Sequence, residues 1–160
     1  MIVGDSFQPL VVTGGDATPP SAATPAAAAT VHLFEYGFEL PATLASGRQV
    51  WEVTNAGREP HELLLAWSPE PITREQAMEL LLAESQDATP SGGGPSGREI
   101  LGIGGLGWLT PGATAWAEVE LQPGTYVVLC YVFDPETGMP HAAKGMVDVF
   151  TVGGASSPTP

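Results

Sequence analysis

Four side chains in this sequence stand out for the chemistry they could do together: His61, Cys130, His141 and Met146. Each alone has an ordinary structural reading. A lone Cys on an apolar strand is usually a small buried hydrophobe, a Met after Gly fills a core, and a His can sit on a surface loop. Their order along the chain changes the balance. Cys130 closes the apolar segment TYVVLC, and His141 and Met146 lie on the connection from it into the next apolar segment, VDVFTV. Two neutral imidazoles, a thiolate and a weak thioether are donors that a copper ion can share in both of its oxidation states. Soft sulfur suits the reduced ion, imidazole suits both, and a long axial thioether tunes the potential. The expected site is therefore one mononuclear copper ion held by His61, Cys130, His141 and Met146.

Other motifs fail on context. Gly102, Gly104 and Gly107 match G-x-G-x-x-G, but that fingerprint needs a following helix whose N-terminus meets a pyrophosphate. Trp108-Leu109-Thr110-Pro111-Gly112 follows instead and cannot open one, so the glycines read as a loop passing close to Trp108. His61-Glu62 begins like a zinc-protease helix, but Leu65 stands where that motif needs its second His. Acidic residues are scattered, and none marks a general acid/base pair. No enzyme is expected.

The elements that must position the four donors read mostly as strands. The chain has 160 residues, 43% of them hydrophobic, which suits one packed core. Twenty glycines and sixteen prolines argue against long helices. Period-two alternation over residues 31–40 and AWAEVEL, the segment QVWEVTN, and the short apolar runs ELLLAW, TYVVLCYV and GMVDVFTV, separated by turn residues such as Pro123-Gly124, indicate an antiparallel sandwich or barrel. Trp51, Leu64, Val119, Val128 and Phe150 are expected in its core. One helix over 73–84 interrupts the strands, with Thr73 as N-cap and Gln76 as its capping-box partner. Residues 87–97 (DATPSGGGPSG) read as a flexible insertion. Residues 16–30 read as a semi-rigid Pro/Ala linker and 154–160 as a flexible tail. Residues 1–15 hold a short strand closed by Gly14-Gly15. It is either the end of a preceding domain in a larger tandem protein or an extra strand of this domain's own sheet.

Charge and composition exclude several classes. Eighteen acidic against five basic residues give a net charge of −13, the wrong sign for neutralising nucleic-acid phosphates. No apolar run reaches the roughly twenty residues of a membrane helix, and no basic-then-apolar leader is visible. One cysteine cannot form an internal disulfide.

At this point the sequence resembles the cupredoxin (blue copper) family, its plastocyanin-like members in particular. Val53-Thr54-Asn55-Ala56-Gly57-Arg58-Glu59-Pro60-His61 is similar to the segment that delivers the family's first histidine ligand. Pro123-Gly124-Thr125-Tyr126 into Val127-Val128-Leu129-Cys130 is similar to the approach to its cysteine, and His141-Ala142-Ala143-Lys144-Gly145-Met146 has its histidine-to-methionine spacing. The resemblance covers about residues 31–153 and implies an all-β, Greek-key sandwich with the short helix at 73–84 as an insertion. Two features depart from the family pattern. Ten residues separate Cys130 from His141, where blue copper proteins place a shorter stretch. Lengthening a loop from three residues to ten costs only about 1 kcal/mol of closure entropy, and Asp134-Pro135-Glu136-Thr137-Gly138 has the residues of a turn that would return His141 to the cysteine. Glu62 follows His61 where Asn is frequent. On a strand it points away from the metal, and with a twist it becomes an oxygen ligand.

Three functions follow for such a chain. The first is one-electron transfer through the copper site, with the acidic surface steering a basic redox protein, although the same charge also serves plain solubility. The second is copper storage or delivery through a more open version of the site, and the third is a metal-free interaction module in which Cys130 is only core. Multicopper oxidase chemistry needs His-x-His pairs, and three histidines without one exclude it. The resemblance and the Pro/Ala/Ser/Thr linkers imply an extracytoplasmic location, periplasmic or at the cell surface.

Overall fold

A computed structural model describes residues 23–84 and 101–153, and eight strands form among them. The expected N-terminal strand, residues 16–22 of the expected linker, the insertion 87–97 and the tail 154–160 lie outside the described residues. One four-stranded sheet has the order β2-β1-β3-β6, built from β1 (Ala29–Phe34), β2 (Gly37–Glu39), β3 (Gly47–Asn55) and β6 (Thr114–Leu121). The other has the order β5-β4-β7-β8, from β4 (His61–Ser68), β5 (Leu101–Leu109), β7 (Gly124–Leu129) and β8 (Val147–Val152). The chain crosses between sheets at β3–β4, β5–β6 and β6–β7. The fold is an all-β sandwich with one short helix, as the sequence implies.

One pairing departs from the expected antiparallel pattern. β1 runs parallel to β3, with Val31 opposite Val53. Parallel neighbours need a crossover of about a dozen residues, and residues 35–46, which include β2, supply it. β1 also starts before the expected Val31: Ala28 donates to Val50 O (2.8 Å), and Ala29–Thr30 open the strand.

The core lies between the sheets. Val31, Leu33, Trp51, Val53, Leu63, Tyr126 and Val128 are fully buried, and Val119, Leu121 and Cys130 join them. Phe150, half-buried, stacks on Tyr126 with ring centroids 5.0 Å apart. Leu64 is the expected core residue that faces the other way. His61, Leu63 and Leu65 take the inward phase of β4, and Leu64 packs with Ala66 against a second cluster containing Ile72, Ala77, Val127 and Val147. That cluster is the seam under α1 (Arg74–Glu84). It explains why ELLLAW and TYVVLC are apolar on both faces, which hides the phase from sequence. The helix begins as its capping box requires: Gln76 N donates to Thr73 Oγ1 (3.3 Å), and Thr73 N donates to Gln76 Oε1 (3.0 Å).

β5 corrects the reading of the glycine-rich segment as a loop. It pairs antiparallel with β4, with register shifts between His61 and Leu63 and between Leu65 and Ala66. Gly105 is required there. Its φ is +147°, and a Cβ would come within 2.0 Å of Leu63 O. A glycine strand at a sheet edge carries almost no side-chain pattern, so alternation cannot reveal it.

Tyr126 also ties the turn before β7. Its hydroxyl accepts from Gln122 N (2.8 Å) and donates to Gln122 O (3.0 Å). Tyr126→Phe leaves both groups unpaired in a half-buried corner, at a cost of about 1–3 kcal/mol. The expected result is a lower urea midpoint with an unchanged m-value, and an unchanged midpoint would contradict the assignment.

Candidate metal centre

His61 is the first residue of β4 and is delivered by a loop held from both sides. Fully buried Asn55 accepts from Gly57 N (2.9 Å) and donates through Nδ2 to Glu59 O and Leu109 O (2.8 Å each). Glu35 Oε1 accepts from Glu59 N (3.1 Å) and from Arg58 N. Gly57 passes directly over the imidazole: a Cβ there would lie 2.8 Å from His61 Nε2. Only glycine leaves that room.

Cys130 immediately follows β7, and its backbone interlocks with the two donors downstream. Cys130 N donates to Met146 O (3.2 Å), and Cys130 O accepts from Ala142 N (2.8 Å). The ten residues before His141 fold back as a turn of their own. Asp134 N donates to Met139 O (2.9 Å), Gly138 N to Asp134 O (2.8 Å), and His141 N to Val132 O (2.8 Å). Asp134 Oδ1 accepts from Glu136 N and Thr137 N (2.9 and 2.8 Å), while Oδ2 takes the Tyr36 hydroxyl (2.8 Å) and the Lys144 ammonium. Lys144 beside it holds the Asp134 carboxyl well below the usual carboxylate range, and Asp134 in turn holds Lys144 well above the usual ammonium range.

Tyr36 turns the β1–β2 hairpin in the left-handed region (φ 62°) and presents its ring edge-on to His141, with centroids 5.5 Å apart. The extended loop thus returns His141 to the cysteine, as the turn residues imply. His141 begins a 3₁₀ turn (His141–Lys144) ended by Gly145 at φ 106°. Arg74 of α1 clamps the exit, donating to Gly145 O (2.6 Å) and Val147 O (2.7 Å).

These elements bring three donors together. His61 Nδ1 and His141 Nδ1 are 3.1 Å apart, and Cys130 Sγ is 3.6 Å from His141 Nδ1. Ligand-capable atoms of all three lie within 4.8 Å of one another. Donors sharing one ion at bond lengths of about 2.0–2.3 Å must stand roughly 3–4 Å apart, so the cluster has the spacing of a metal site. His61, Cys130, His141 and Met146 are each 0% exposed. Met146 lies in the same apolar cluster as Cys130, and its amide donates to His141 O (2.9 Å). Glu62 faces away and accepts from Tyr131 N (2.8 Å), so its carboxylate stands outside the donor cluster.

Burial sets the electrostatics. It pushes the His61 imidazole down, as does neighbouring His141, against the opposing pull of Glu35. Burial also pushes the Cys130 thiol up; the amides of Glu62 (3.5 Å to Sγ) and Val132 favour the thiolate, and the Glu62 carboxylate opposes it. A cation among these donors would reverse the balance at the cysteine by supplying the charge the thiolate lacks. The outward nitrogens, His61 Nε2 and His141 Nε2, are buried and make no hydrogen bond. Glu35 Oε1 stands 4.0 Å from the first and Glu59 Oε2 stands 3.0 Å from the second.

Sequence reading quoted Asn55, Glu59 and Asp134 only as parts of motifs and gave no bracing role to them or to Glu35, Tyr36 and Lys144. Their partners are mostly distant in the chain, and each is an ordinary polar residue on an ordinary strand or loop.

No protein-family model matches this sequence, and no curated protein matches it. Among solved structures it is similar to dithionite-reduced auracyanin from the photosynthetic bacterium Roseiflexus castenholzii, with 22% identity over 77% of this chain and 94% of that one and a TM-score of 0.49. It is also similar to auracyanin B, with 18% identity over 81% and 92% of the two chains and a TM-score of 0.45. Among the described residues the chain is a sandwich of two four-stranded sheets with a buried His/Cys/His cluster.

The two shifts predict how the metal-free protein responds to pH. Below about pH 6.5 the unfolded chain protonates His61 before the folded one does, so stability falls as pH drops. Above about pH 8.5 the unfolded chain ionises Cys130 first, so stability falls as pH rises. Urea melts should show both declines, and Cys130→Ser should flatten the one between about pH 8.5 and 10. An unchanged alkaline decline in that variant would contradict the assignment.

Proposed function

We propose that this chain is a one-electron carrier whose single copper ion is held by His61, Cys130 and His141, with Met146 as a weak fourth ligand. The observation that carries this reading is the approach of two imidazole Nδ1 atoms and one Sγ on side chains with no exposure to solvent. Bound copper supplies the one-electron couple, and the protein's task is to keep the same donors in the same places for both oxidation states. Each donor is fixed by hydrogen bonds independent of the metal: the Asn55 and Glu35 side chains hold the His61 loop, and the backbones of Cys130, His141 and Met146 tie to one another. Little has to move when charge changes, which suits transfer. The closed site also favours transfer over storage or delivery, since handing an ion to a partner needs an accessible ligand.

A net charge of −13 suits a basic redox partner, drawn in over about a Debye length, 8–10 Å at physiological salt. The reading places the protein outside the cytoplasm, as the resemblance implies, in a chain that extends the domain through Pro/Ala-rich linkers.

The test is titration of the metal-free protein with copper(II). One equivalent should be retained through dialysis, with an intense visible sulfur-to-copper charge-transfer band. Cys130→Ser should lose the band and stay folded, while Met146→Leu should keep it and shift the midpoint potential. Wild-type protein that retains no copper would overturn the proposal in favour of a metal-free module.

A further inference from the structure

His141 and Glu59 form a contact that a ligand set of four does not use. His141 Nε2 and Glu59 Oε2 are 3.0 Å apart, both buried, and neither makes a hydrogen bond to any described residue. A buried carboxylate oxygen without a donor is costly, about 1–3 kcal/mol or more, and here its near neighbour is an imidazole nitrogen. Neither residue can drift away from the other. Glu59 is held by its own amide on Glu35 Oε1 and by its carbonyl under Asn55 Nδ2. His141 is held through Val132 O and Met146 N.

A neutral imidazole carries one ring proton. On Nδ1 that proton would point into the cluster, toward His61 Nδ1 at 3.1 Å and Cys130 Sγ at 3.6 Å, and would block coordination there. On Nε2 it lies beside Glu59 Oε2, 3.0 Å away but out of line for a hydrogen bond, and leaves the Nδ1 lone pair facing the cluster. We infer that Glu59 is a positioning residue: its carboxylate accepts the Nε2–H of His141, selects that tautomer, and so presents Nδ1 to the metal. This role of Glu59 rests on the ligand set proposed above, and at 3.0 Å the bond requires the ring or the carboxylate to turn into line. Carboxylates in this position orient ligating histidines and raise their basicity, and their loss costs 10–100-fold in metal affinity. Glu35, at 4.0 Å from His61 Nε2, is too far to do the same directly.

The test begins with the metal-free wild-type protein, where long-range nitrogen–proton NMR reads the tautomer of each histidine. His141 should carry its proton on Nε2. Glu59→Gln keeps an acceptor oxygen and removes the charge; Glu59→Leu removes both. With zinc(II) as a redox-silent probe, Glu59→Leu should lose 10–100-fold in affinity and show His141 shifted toward the Nδ1–H form. Glu59→Gln should keep the wild-type tautomer and most of the affinity, and its copper-loaded form should have a higher midpoint potential. A wild-type His141 protonated on Nδ1 overturns the inference, whatever the variants do. So does a folded Glu59→Leu protein with wild-type tautomer and affinity. Failure to hold copper with the expected tautomer pattern intact would overturn the carrier function and leave the role of Glu59 supported.

Discussion

A thiol and two imidazoles packed within 4.8 Å of one another, out of reach of water, impose a condition that the surrounding structure has to meet. Without a metal the Nδ1–Nδ1 and Sγ–Nδ1 pairs stand at hydrogen-bond distance and share ring and thiol protons, and burial disfavours charge on any of them. A cation among them would take the place of those protons and be coordinated instead. For the arrangement to persist without one, each donor has to be held by something other than the metal. The three sit on separate pieces of chain: a strand start, a strand end and a long loop. Each piece has its own hydrogen-bonded brace, from Asn55 and Glu35, from the Cys130–Ala142 and Cys130–Met146 backbone pairs, and from Asp134.

The long connection between Cys130 and His141 is where this condition is hardest to satisfy. Closure entropy is a minor obstacle, on the order of 1 kcal/mol for the extra length. Order within the loop matters more. Asp134 supplies it by collecting backbone donors on one oxygen and the Tyr36 hydroxyl and Lys144 ammonium on the other. Tyr36 then joins the loop to the first hairpin and sets its ring against His141. The opposite side is fixed by Arg74, which reaches from the helix to the carbonyls of Gly145 and Val147. The helix therefore does more than cover the outer face of its sheet; it anchors the exit from the His141 turn.

Much of this was legible in the sequence because it rests on local rules. Alternation and short apolar runs between turn residues marked most strands, Thr73 and Gln76 marked the helix start, and His61, Cys130 and His141, which meet in the fold, stood out by type and order. The turn at 134–138 was legible because Asp, Pro and Gly occupy positions with known geometry. What escaped had physical reasons. β5 has glycines where a strand shows its pattern, and the parallel β1–β3 pair depends on a crossover that alternation does not encode. Leu64 was placed on the wrong face because α1 buries the side of the sheet that usually meets water. The braces around the donors escaped because they join residues far apart in sequence, such as Asn55 to Leu109 and Tyr36 to Asp134.

The central claim is that one copper ion occupies the point on which the three buried donors converge. X-ray absorption at the copper edge of the loaded protein examines that point directly. One sulfur and two imidazole nitrogens in the first shell, with the sulfur lost in Cys130→Ser, is the result expected here. A first shell of nitrogen and oxygen alone in the wild-type protein would contradict it.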